Sequence, residues 1–173
     1  NSYPRPSTPL PITHYPELMD SMRSRGMRDM LPADMARFRR TEAAFRDVCL
    51  GWGYEEVRTP TIEHLYLFTQ AGTLSPQMLD RVYSFLDYDG WTGERVVLRP
   101  DSTIPPVRLF AEQMADRDGA RLFYVQNVLR FAPGDTDRED WQCGVELLGD
   151  TYPQGDVERI LMARETLDRL GLK

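Results

Sequence analysis

The sequence is short of the residues on which several large classes of protein depend. It has two cysteines, Cys49 and Cys143, and no C-x-x-C pair. A disulfide framework therefore has no support and a structural zinc site is a poor fit. Histidine is as scarce, and His14 and His64 are too far apart to ligate a metal together. No stretch approaches the roughly 18 consecutive apolar residues of a membrane-spanning helix, so no membrane partner is expected. The N-terminus has no apolar core of a secretory signal, and cytoplasmic residence follows as the default. Basic charge is not in excess either: Asp and Glu number 27 against 21 Lys and Arg, for a net charge of -6. Non-specific nucleic-acid binding needs clustered Lys and Arg to neutralise phosphates, so this balance argues against it. No internal repeat is visible.

What is present suits one globular domain with a real core, at 173 residues, 41% apolar and 28% charged. Five prolines fall within the first sixteen residues. A helix cannot form there, so residues 1–24 read as a Pro-rich extension and 25–173 as the domain. The absence of an initiator Met, and an end soon after a helix, lead us to expect a portion of a longer polypeptide. A helix is expected from about Ala33 to Leu50, with Phe38, Phe45, Val48 and Cys49 as its apolar stripe. Gly51 and Gly53 end it. Tyr54 to Val57 reads as a short strand, and Glu63 to Leu79 as partly helical. Val82–Leu86 and Arg95–Leu98 read as a strand pair across the turn Asp87–Glu94. A helix after Thr103 carries Val107, Phe110 and Met114. A last helix, Asp156 to Leu170, repeats Val157, Ile160, Leu161 and Leu167. The expected class is α+β: a mainly antiparallel sheet of about five strands with helices packed on one side.

Leu122 to Gly149 is the most informative stretch. Leu122–Phe131 and Trp141–Leu148 are rich in β-branched, aromatic and aliphatic residues, and Ala132 to Asp140 interrupts them with Pro133, Gly134 and four acids. That pattern is a long hairpin. Side chains two apart on a strand share a face. Gln142, Gly144 and Glu146 therefore line one side, and Cys143, Val145 and Leu147 the other, toward a core. An amide and a carboxylate around a glycine gap make a plausible floor for a small polar ligand. An ordinary solvated antiparallel face is the alternative.

A second constellation is Val97 to Thr103, VLRPDST, where a strand leads through a turn into a helix N-terminus. Asp101, Ser102 and Thr103 all suit helix capping, and one of them is expected to do it. The functional alternative is that Asp101 and Thr103 hold an ammonium group. Arg99 either supports that pocket or pairs with a nearby acid.

These residues carry a family resemblance. RGMRDMLP (25–32), GYEEVRTP (53–60), LRPDST (98–103), and YVQNVLRF with WQCGVELLG follow one another in this order. They resemble the N-terminal signature, motif 1, the amino-acid-contacting LRPEGT element and motif 2 of class II aminoacyl-tRNA synthetases of the histidyl branch. The resemblance implies a class II synthetase-like catalytic core and a homodimer built on motif 1. It also implies that Asp101, Thr103, Gln142 and Glu146 surround the amino group of histidine or a related amino acid, and that Arg130 grips the ATP α-phosphate.

The chain departs from the synthetase pattern in several places. Ala132 stands where motif 2 has a glutamate, and the loop that should attract phosphate reads PGDTDRED. Asp101 and Ser102 replace the Glu and Gly of LRPEGT. Motif 3, with its second arginine, has no counterpart before Lys173. These departures resemble a paralogue, the regulatory subunit of ATP phosphoribosyltransferase in histidine biosynthesis. It does not charge tRNA, associates with a catalytic subunit and needs no cofactor. The expectation is accordingly a non-catalytic histidine-binding protein for which tRNA is not a partner. Two alternatives stand beside it: the N-terminal part of a true histidyl-tRNA synthetase core, using ATP and Mg, and an orphan amino-acid-binding paralogue.

Overall fold

The computed structural model describes residues 22–72, 76–88, 93–134, 136–149 and 153–172. Nearly all of the Pro-rich extension, His14, and the middle of the turn Asp87–Glu94 lie outside them. The elements run α1 (Pro32–Gly51), β1 (Glu55–Glu56), β2 (Ile62–His64), α2 (Leu65–Gln70), α3 (Pro76–Leu79) and β3 (Ser84–Tyr88). They continue as β4 (Gly93–Leu98), α4 (Ile104–Gln113), β5 (Ala120–Leu129), β6 (Glu139–Leu148) and α5 (Gln154–Arg169).

One sheet was expected; the described strands form two, each of three strands. The first has the order β1-β5-β6 and the second β2-β4-β3. The hairpin is as read, with β5 antiparallel to β6 over ten residue pairs. The short strand after α1 joins β5 in parallel, Glu55 opposite Leu122. β2 was not foreseen, because three residues are too few to show a period. It pairs with β4, and its middle residue, Glu63, is buried against Arg108 of α4 at 2.8 Å.

The helices also take both sides of the first sheet rather than one. α1 and α5 cover the odd-numbered face of the hairpin. Val48, Cys49, Tyr54, Phe123 and Met162 form the core there, with Phe45, Trp52 and Val145 packed against it. The rings of Phe45 and Phe123 meet edge to face at 6.0 Å, a favourable geometry for their quadrupoles. α4 packs against β6 from the other side. Proline opens α1 and α4, where a missing N–H leaves no bond unmade. Gly53, at φ 78, turns the chain from α1 into β1.

Two sequence readings of the core need correction. Val157, Ile160, Leu161 and Leu167 do recur at helical spacing, but they face outward, Ile160 being 68% exposed. α5 is held instead by Met162 and by polar contacts: Trp52 Nε1 to Glu165 at 2.9 Å, and Tyr54 OH to Glu158 at 2.8 Å. Cys143 is exposed although its neighbour Val145 packs against the core. β6 is the outer strand of its sheet, with one edge unpaired among the described residues.

Arg99 joins the two sheets. Its guanidinium is buried, at 2% exposure, and hydrogen-bonds no carboxylate among the described residues. It donates to the carbonyls of Thr59 (3.0 Å), Pro60 (2.9 Å) and Asn127 (2.9 Å), and to the side-chain oxygens of Asn127 (2.9 Å) and Gln126 (3.2 Å). Its own carbonyl accepts from Leu129 N. A buried charge is tolerated where its donors are all met. Burial pushes the Arg99 pKa down from its usual value.

Candidate functional site

The even-numbered face of the hairpin lies under the turn that enters α4, which brings Asp101 and Thr103 near Glu146. Asp101 Oδ1 accepts from the backbone N–H of Thr103 (2.8 Å) and Ile104 (3.3 Å). It is therefore the helix cap, one of the two roles open to it. The Thr103 side chain stands beside both Glu146 and Tyr124, and its presence lowers the pKa of each. Ser102 is fully buried and its hydroxyl finds no partner among the described residues.

The glycine gap is not open. Tyr124 stands opposite Gly144 in the register, and a Cβ at 144 would overlap the Tyr124 ring and its phenol oxygen. The ring lies across Gly144 and its hydroxyl donates to Glu146 Oε1 at 3.2 Å. Tyr124 is thus a member of the site that sequence reasoning missed. A bulky aromatic facing a glycine across two strands was the available signal, but it is readable only once the register is fixed.

The electrostatics of this cluster are unbalanced. Burial holds the Glu146 pKa above the usual carboxylate value, and the negative charge of Asp101 adds to it, against the lowering effects of the Tyr124 and Thr103 side chains and of the more distant Arg159. Burial, with Glu146 nearby, pushes the Tyr124 phenol up as well. Two carboxylates and two hydroxyls facing one another form a site that gains from a cation. A primary ammonium matches it in charge and in hydrogen-bond donors.

The remaining expected residues lie farther along the same face. Gln142 is half-buried opposite Gln126. Arg130 leaves the end of β5 and donates from Nε to the carbonyl of Pro100 at 2.7 Å, beside Asp101. Ala132 is buried and offers only a carbonyl, which accepts from Arg138 Nε at 2.8 Å. The loop's arginine is therefore turned inward. Its guanidinium lies 4.7 Å from the centre of the Phe131 ring, and its backbone bonds Gly26 and Arg130 at 2.8 Å each. Gly26, at φ 72, sits against the Arg138 side chain with no room for a Cβ. In this way the RGMR segment is tied to the loop after β5. Arg23, Arg25, Arg28 and Asp137 line a cavity of about 330 Å³ there, so the acidic loop has basic neighbours. Among the described residues no group of three or more His, Cys, Asp or Glu is arranged to hold a metal ion.

Comparison with known proteins agrees with this architecture. The family described as Histidyl-tRNA synthetase matches residues 26–173. An ATP phosphoribosyltransferase regulatory subunit of Dehalococcoides mccartyi is 57% identical over 152 residues, which cover 87% of this chain and 37% of that protein. A histidine--tRNA ligase of Methanosarcina acetivorans is 38% identical over 154 residues, 87% of this chain and 36% of that one. A crystal structure described as an ATP phosphoribosyltransferase regulatory subunit/histidyl-tRNA synthetase from Bacillus halodurans superposes with a TM-score of 0.78. It is 33% identical, and the match covers 89% of this chain and 39% of that one. The chain spans little more than a third of the curated relatives it matches. With the family matched from residue 26 to its last residue, and with relatives above 30% identity over nearly nine-tenths of its length, this chain belongs to the histidyl-tRNA synthetase family.

Proposed function

We propose that this chain is the synthetase-like segment of an ATP phosphoribosyltransferase regulatory subunit, a cytoplasmic, non-catalytic paralogue that binds histidine or a related amino acid. The observation that carries the binding role is the cluster of Asp101 and Glu146 with the hydroxyls of Thr103 and Tyr124. It offers negative charge and acceptors to an ammonium group and asks nothing of ATP. Adenylate formation asks for more, because charge growing on the α-phosphate and pyrophosphate needs several converging cations. Arg130 offers one cation near the cluster, Ala132 supplies no carboxylate, and Arg138 is committed to Ala132 and Phe131. The 57% identity to a regulatory subunit supports a catalytic subunit of ATP phosphoribosyltransferase as the partner.

A second reading, the N-terminal part of a working synthetase core, is favoured by the arginine retained at position 130 and by the 38% identity to a histidine--tRNA ligase. Pyrophosphate exchange with histidine and ATP separates the two. The regulatory reading predicts no exchange above background. Exchange that disappears in Arg130→Ala would establish the synthetase reading instead.

Assembly as a homodimer through α1 and the strand before Pro60 belongs to the same proposal. Met30, Phe38 and Trp141 line a cavity of about 320 Å³ beside α1, and Phe38 and Trp141 meet edge to face at 5.0 Å. A two-fold contact there should bury more than about 1,000 Å². Light scattering at micromolar concentration should give twice the chain mass; a monomer contradicts the dimer.

A further inference from the structure

We propose that Gln126 is a specificity-determining residue of the amino-acid site, its side-chain N–H donating to the ligand's carboxylate. The inference rests on the amino-acid reading above and adds to it the group that recognises the other end of the ligand.

The orientation of the Gln126 amide is fixed by its surroundings. Oε1 faces Arg99 Nη1 at 3.2 Å, the Thr59 hydroxyl at 3.3 Å and the Thr59 backbone N–H at 3.5 Å. Arg99 and the Thr59 amide can only donate, so the oxygen must lie on their side and the NH2 must turn away. The usual ambiguity between the two ends of an amide does not arise here. Nε2 is buried, in a residue 3% exposed, and meets no acceptor among the described residues. A buried donor without a partner is uncommon in folded proteins and marks a place where something is missing.

The missing partner is an acceptor, and the register says where it comes from. β5 lies between β1 and β6. Thr59 lies beyond the end of β1, so the oxygen of Gln126 is drawn to that side and the NH2 toward β6. Gln126 stands directly opposite Gln142, one step along the face from the Tyr124–Gly144 pair that presents Glu146. Arg130 follows at the end of the same strand. An α-amino acid with its ammonium at Asp101 and Glu146 thus directs its carboxylate toward Gln126, Gln142 and Arg130, which carry N–H donors. A competing acceptor in register is the side chain of Gln142, after a rotation.

Gln126→Glu tests the assignment without emptying the site. A carboxylate at 126 keeps an oxygen for Thr59 and gives Arg99 a charged partner, so the fold is retained, but it removes the donor and repels an anion. Gln126→Met removes the donor without adding charge. Calorimetric titration of both variants and the wild type with histidine and with histamine, its decarboxylated amine, reads the effect. We expect both variants to bind histidine about 10-fold or more weakly, while histamine affinity stays within about twofold. Equal losses for the two ligands, or no loss in either variant, would overturn the role of Gln126 and leave the amino-acid site standing. Failure of the wild-type protein to bind either ligand would overturn both.

Discussion

The phenol of Tyr124 reaches the carboxylate of Glu146 by crossing the backbone at Gly144, and the hydrogen bond closes at 3.2 Å. One glycine therefore decides whether the site has its hydroxyl. A methyl group at 144 would overlap the ring, and overpacking of this kind costs about 1–3 kcal/mol. Gly144→Ala is expected to lower the melting temperature and weaken histidine binding. Tyr124→Ala in the same chain should restore part of the lost stability, because the clash has a single cause. Independent, additive effects in that double-mutant cycle would show that the ring does not occupy the gap.

Glu146 should trade stability for binding. Its folded-state pKa lies above its unfolded value, so the folded protein holds the proton more tightly. Its contribution then favours folding below the unfolded value and is lost as pH rises through the folded one. Above that window the ionised carboxylate burdens the fold. Glu146→Gln is expected to raise the melting temperature at neutral pH and to abolish histidine binding. A variant less stable than wild type at pH 7 would contradict the unbalanced-charge account.

Arg99 is predicted to be structural. Arg99→Ala leaves the Thr59, Pro60 and Asn127 carbonyls without their donor. Losses of this type reach about 3–5 kcal/mol. Arg99→Lys restores the charge but not the planar set of five donors, so it should recover only part of the stability in chemical denaturation. Full recovery by lysine would mean that charge, rather than geometry, joins the two sheets.

The hairpin was legible because ten-residue strands with a proline- and glycine-bearing loop leave a long periodic trace, and the family motifs marked Asp101, Thr103, Gln142, Glu146 and Arg130. The contents of the glycine gap were not legible, since Tyr124 faces Gly144 only in one register and a slip of one residue would turn it to the other face. β2 left no trace in three residues. The apolar stripe of α5 misled because spacing reports a helical face and not what covers it; Trp52 and Tyr54 hold that helix through Glu165 and Glu158 instead. Arg99 was ambiguous for a different reason: its partners are carbonyls contributed by segments distant in sequence.

The most direct test of the central claim is calorimetric titration of the chain with histidine at two pH values spanning acid to neutral. The ammonium needs the ionised form of Glu146, whose pKa is raised, so the account predicts one saturable site whose affinity rises toward neutral pH. Binding should take up no ATP and should vanish in Glu146→Gln. Histidine binding that is unchanged by pH and survives that substitution would contradict the assignment of Asp101 and Glu146 as the ammonium site.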